Sequence, residues 1–130
     1  MRLPPLPREG IRYLQNARAI LRHIPAEGDV YIDRKPVREA MGTAYLAILE
    51  AINEALLRRG LTRKELPRSV DAYRVALQRH FGIHNGKLLR EFESLYDLLH
   101  RSGHYRVTIY RRKVVKAALD DAQSFIERLA

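Results

Sequence analysis

The chain contains no cysteine, which excludes a disulfide framework and any thiolate metal site and fits a reducing compartment. No run approaches the ~18 consecutive apolar residues that a membrane span needs. The opening MRLPPLPREG lacks the apolar core of a signal peptide. The expectation is therefore a cytoplasmic protein without a membrane partner. The common signatures of chemistry are missing too. There is no GxxxxGK phosphate loop, GxGxxG fingerprint, HExxH helix or GxSxG turn. No carboxylate cluster has ligand-like spacing, so conventional metalloenzyme, kinase and hydrolase readings lose their support and no cofactor is expected. Acid is also scarce: 15 Asp and Glu stand against 24 Lys and Arg, for a net charge of +9. A surface so basic attracts nucleic acid, anionic membrane or acidic proteins. Of the 24 cations, 19 are arginine, the side chain suited to bidentate phosphate contacts.

What is present is helical periodicity. A chain of 130 residues with 46% hydrophobic residues is the size of one domain with one core. Its longest helical pattern runs from Asp33 to Gly60. Asp33 can cap it, Pro36 suits its first turn and Gly60 its end. Val37, Met41, Ala44, Ile48, Ala51 and Ala55 form one apolar stripe; Tyr45, Leu49, Ile52 and Leu56 form a second beside it. Two stripes make a face wider than that of a surface helix. Gly42 costs about 1 kcal/mol relative to alanine inside a helix, a cost that close packing of a neighbour would explain.

Residues 1–7, with three prolines, read as an extended arm, and 8–130 as the single helical domain. A first helix spans Arg8 to about His23, with Ile11, Leu14, Ala17, Leu21 and Ile24 on one face. Ala26 to Ile32 reads as a loop. Thr62 and Glu65 form a capping-box signature, and Ser69 or Pro67 opens a third helix with Val70, Tyr73, Leu77 and Phe81 aligned. A fourth runs from about Lys87 to His100, with Leu88, Phe92, Leu95 and Leu99 inward. Ser102-Gly103 is expected to bend or break the chain. The last helix is expected from His104 to Leu129, with Val107, Tyr110, Val114, Ala118, Ala122, Phe125 and Leu129 inward. Every strong period is 3.6, so the fold class is all-α, an antiparallel bundle of four to five helices with short connections.

Three groups of residues invite a functional reading. His80/His84 and His100/His104 are two pairs with i, i+4 spacing, but Gly82 and Gly103 interrupt them and no carboxylates support them; the expectation is no metal site. Arg79 and His84 in RHFGIH are candidate catalytic residues, because an imidazole can take a proton from a 2′-hydroxyl while a guanidinium holds phosphorane charge. The same residues also read as surface groups before a turn. Finally, HRSGHYRVTIYRRKVVK carries Arg101, Arg106, Arg111, Arg112, Lys113 and Lys116 without an acid. Tyr105 and Tyr110 interleave, an arrangement suited to a phosphate backbone with stacked bases. These six cations with Tyr105 are the candidate nucleic-acid-binding residues; Tyr110 falls on the apolar stripe.

YLQNARAIL at 13–21, KPVREAMGTAYLAILEAINEALLRRG at 35–60 and YDLLHRSGHY at 96–105 together resemble the HEPN superfamily, in particular its small bacterial and archaeal bundle proteins. In those, an LH followed by an aromatic opens the last helix; here that is Leu99, His100 and Tyr105. The resemblance implies a bundle of four to five helices, often a homodimer. The superfamily includes metal-independent RNases with an Arg-x4–6-His motif as well as many inactive members. Arg79 and His84 fit that spacing, as do Arg74 and His80, but they precede the fourth helix, whereas the family's motif lies near the start of the last core helix.

The leading expectation is a non-catalytic dimeric module binding RNA, DNA or a partner protein. The alternatives are a metal-independent RNase using Arg79 and His84, and a purely structural protein-interaction partner.

Overall fold

The helix expected between Asp33 and Gly60 is the axis of the molecule. In the computed structural model, which describes residues 8–82, 86–105 and 110–129, it runs Arg34–Arg58 and is termed α2. The Asp33 carboxylate accepts from the Lys35 N–H at 3.2 Å, satisfying a donor that the first turn leaves orphaned. At the far end the Arg59 and Gly60 N–H groups return to the carbonyls of Ala55, Leu56 and Leu57. Gly60 sits at φ +98°, a left-handed conformation that strains any residue with a β-carbon.

Both expected stripes of α2 are buried, with Leu49 only partly so, and a third row, Ala40 and Ala47, is fully buried beside them. A helix covered on so many sides needs thin neighbours. Helix α1, Arg8–Arg22, approaches through Gly10, where a β-carbon would lie 2.7 Å from Ala51 Cβ and 2.9 Å from the Ala47 carbonyl. Its inward face is Leu14, Ala17 and Leu21, with Ile24 just beyond and Ile11 partly buried. By length and mean hydropathy α2 does reach the range of a membrane span, contrary to the count of apolar runs in the sequence. Among the described residues it is the one helix that does so. Its apolar rows engage the rest of the bundle, as a core helix does.

Between α1 and α2 the expected loop is a minimal antiparallel hairpin. Strand β1, Ala26–Glu27, pairs with β2, Val30–Tyr31, in the register Ala26↔Tyr31 and Glu27↔Val30. After α2 the Thr62 N–H donates to Glu65 at 2.9 Å across a short 3-10 turn, Arg63–Glu65. The Ser69 hydroxyl accepts from the Ala72 N–H at 3.1 Å and opens α3, Val70–Phe81. Tyr73 donates to Asn53 at 3.0 Å, and the Arg59 guanidinium lies 4.2 Å from the centroid of Phe81. These contacts advance along α2 and α3 together, so this pair is not the antiparallel neighbour that short connections implied.

Helix α4, Lys87–Leu95, passes without a break into a π-helical segment, Tyr96–Tyr105. Ser102-Gly103 therefore does not break the chain. Gly103 instead packs where a β-carbon would meet the Met41 side chain at 2.8 Å. From the end of α4 through the π segment, residues four apart stack: Phe92 on Tyr96 at 6.4 Å, Tyr96 on His100 at 5.4 Å and His100 on His104 at 6.1 Å between ring centroids.

Helix α5 spans Arg112–Arg128, starting eight residues later than the expected His104. Its buried residues are Val115, Ala118, Leu119, Ala122, Phe125 and Ile126, and Val114, expected inward, is 42% exposed. Val107 lies outside the described residues, as do the arm 1–7 and His84.

Candidate anion-binding cleft

The start of α5 is set by the hairpin rather than by local periodicity. The Arg112 N–H donates to the Asp29 carbonyl at 2.7 Å, and the Lys113 N–H to the Asp29 carboxylate at 3.2 Å. The Tyr31 N–H donates to the Tyr110 carbonyl at 3.0 Å, and Val30 pairs with Arg111 as an isolated bridge. These bonds hold residues 110–111 extended and direct α5 alongside α1. Farther along, Arg18 of α1 donates to Asp120 at 3.0 Å and to Gln123 at 2.9 Å, closing the other end of the pair.

Between these two ties lies a cleft of about 430 Å³ lined by Arg18, Arg22, Arg112 and Lys116 on its walls and Leu21, Ile24, Tyr31 and Leu119 on its apolar side, with Asp120 as its single acid. Arg18 and Arg22 are four apart on α1, as are Arg112 and Lys116 on α5, so each helix presents one pair from adjacent turns. Arg112 also hydrogen-bonds the buried Tyr31 hydroxyl; burial raises that phenol's pKa, and the guanidinium opposes the shift. The first turn of α5 has no acid. Cations there sit at the positive end of the helix dipole, an arrangement that costs a few tenths of a kcal/mol each. Helix stability does not explain their placement.

The structure thus divides the seven residues singled out for nucleic-acid binding. Arg112 and Lys116 line the cleft. Arg111 and Lys113 are exposed beside it but do not line it. Arg101 belongs to the π segment, away from the cleft, and is paired with Asp97 at 2.9 Å. Arg106 and the Tyr105 side chain lie outside the described residues. Tyr110 is half-buried with the Arg34 guanidinium 4.5 Å from its ring centroid. Arg18, Arg22 and Tyr31 were missed by sequence reasoning; the i, i+4 spacing of the two arginines was the one signal for them.

The other candidates are dispersed. Arg79 is exposed at the end of α3 and lines a groove with His80, Lys64 and Arg68; its partner His84 lies outside the described residues. Arg74 is held by Asp71 at 2.6 Å and by Glu93, and both carboxylates raise its pKa. His104 Nδ1 donates to the Arg38 carbonyl at 3.0 Å, which fixes its tautomer. His100 stacks on Tyr45 at 4.7 Å. Its pKa is lowered, first by burial and then by His104, while burial pushes the Tyr45 phenol up to about 12. Among the described residues no group of three or more His, Asp or Glu side chains could hold a metal ion.

The chain is similar to a solved protein of unknown function from Dyadobacter fermentans, with 30% identity and a TM-score of 0.76 over 95% of this chain and 91% of that one. No curated protein matches the chain. The family described as "Domain of unknown function (DUF5618)" matches residues 7–130, and the chain belongs to that family.

Proposed function

We propose that the chain works in the cytoplasm as a non-catalytic, HEPN-like helical module that binds nucleic acid through the cleft between α1 and α5 and acts as a homodimer. The observation that supports this reading most is the meeting of Arg18, Arg22, Arg112 and Lys116, from helices at opposite ends of the sequence, around one concave surface. Guanidinium forks match phosphate oxygens bidentately, and exposed Arg111 and Lys113 extend the positive surface beside the cleft. The engagement of Arg74 by two carboxylates removes one of the two Arg–His pairs from an RNase reading. The homodimer is supported by Leu46, a large apolar side chain left half exposed on α2.

Labelled single-stranded RNA, incubated with the protein without metal at low and high salt, tests the reading on one native and one denaturing gel. Salt-sensitive retardation with intact RNA is expected. Failure of both RNA and DNA to bind at low salt refutes it and leaves a protein-interaction module. Cleavage that alanine at Arg79 or His84 abolishes replaces it with the RNase.

A further inference from the structure

Resting on that reading, we infer that the cleft recognises a phosphate monoester carrying a flat or apolar group. The chemistry is that of a nucleotide unit, whether at the phosphorylated end of a strand or as a free nucleoside monophosphate. The charge balance of the cleft is the first argument. Its one lining acid, Asp120, is engaged by Arg18, which Gln123 also holds. The nearby Asp29 carboxylate accepts from the Lys113 N–H on the hairpin side. Arg22, Arg112 and Lys116 therefore face the same space without a lining carboxylate to neutralise them. A terminal phosphate carries about −1.5 to −2 at neutral pH, against a single charge for an internal diester, so three cations match the monoester better.

The apolar side is the second argument. Leu21, Ile24 and Tyr31 line it with less than a tenth of their surface exposed, over a fully buried Leu119, and this narrow apolar strip gives the edge of a base or sugar a contact that inorganic phosphate cannot use. Size is the third: about 430 Å³ lies in the range of small-ligand sites. It admits one nucleotide unit and not a duplex, whose bases are paired inside.

The test uses the full chain and an internally labelled single-stranded RNA of one sequence, made with a 5′-phosphate, a 3′-phosphate or hydroxyls at both ends. Bound strand is displaced by uridine monophosphate, uridine or inorganic phosphate. Uridine monophosphate is expected to displace it at about tenfold lower concentration than inorganic phosphate, equivalent to about 1.4 kcal/mol, and uridine to fail. R22A and K116A, both at exposed positions, should weaken the binding of uridine monophosphate while far-UV circular dichroism is unchanged. K64A, in the separate groove beside α3, should leave it intact. A phosphorylated strand binding tighter than the hydroxyl strand assigns the site to strand ends. Equal binding of the strands, with the mononucleotide still preferred over phosphate, assigns it to free nucleotides. Uridine monophosphate no better than inorganic phosphate overturns the inference, and retention of RNA in that experiment keeps the nucleic-acid reading standing. No retention of any strand fells that reading itself.

Discussion

His104 packs its imidazole directly over Gly42. A β-carbon at Gly42 would collide with Nδ1 and reach 2.9 Å from Cε1 and 3.0 Å from Cγ, and the ring cannot swing away without giving up the Arg38 carbonyl. The glycine is there for thickness. Gly42→Ala gains about 1 kcal/mol of helix propensity but overpacks the contact, which typically costs about 1–3 kcal/mol. Urea unfolding should show net destabilisation. In a His104→Ala background the same change should become stabilising, a coupling that a double-mutant cycle reads directly. A stabilised single variant would show that the ring yields freely.

Asp29 joins the hairpin to α5 through its carboxylate as well as its carbonyl. Asp29→Ala removes the side-chain acceptor and should cost about 0.5–2 kcal/mol, the usual range for a helix-terminus acceptor. Asp29→Asn keeps an oxygen and should cost less. Equal loss in the two variants, measured by thermal unfolding, would mean that charge rather than the hydrogen bond matters.

His100 predicts a pH dependence. Its folded pKa lies below the ordinary 6.5 because burial, and then His104, disfavour the charged ring. Below pH 6.5 the unfolded chain binds a proton that the folded chain resists, so stability is full above that pH and falls as pH drops toward the folded pKa. The urea midpoint should therefore decrease between pH 7 and pH 5. His100→Phe, which preserves the stack on Tyr45, should flatten that decrease. An unchanged slope in the variant would place the titration elsewhere.

Arg22 and Lys116 should matter to binding and not to folding. Replacing both with alanine at these exposed positions should shift stability by less than about 0.5 kcal/mol. If each neutralises one phosphate, the slope of log affinity for single-stranded RNA against log salt should fall by about 1.4, at about 0.7 per contact. A parallel loss of affinity with the slope unchanged would assign them a structural role.

Light scattering at high protein concentration should give twice the monomer mass of 15.1 kDa. Leu46→Glu, at a half-exposed position on α2, should return the monomer. A wild-type monomer refutes the dimer, and a persistent dimer in the variant moves its interface away from Leu46.

Much of the fold was legible because it is local. The caps at Asp33 and Ser69 and the Thr62–Glu65 pair involve residues within a few positions of each other, and the buried faces of α1, α2 and α4 follow the 3.6 period. The errors cluster where distant groups compete for the backbone. His104 to Leu129 reads as one helix, yet Asp29 and Tyr31 take up the N–H of Arg112 and the carbonyl of Tyr110, so the helix starts at Arg112 and Val115, not Val114, turns inward. Ser102-Gly103 reads as a break because glycine weakens an isolated helix. Against Met41 the missing side chain is what lets the π segment close on α2.

The sequence by itself determined the helical class, the central place of α2 and the excess of positive charge, since these depend on composition and on spacing within one helix. Only the tertiary structure decided where that charge concentrates. The run from Arg101 to Lys116 looked like one basic surface. Arg101 is engaged locally, by Asp97 four residues before it in the same segment, whereas packing set Arg112 and Lys116 opposite Arg18 and Arg22, because the neighbours of a side chain across two packed helices depend on how those helices dock.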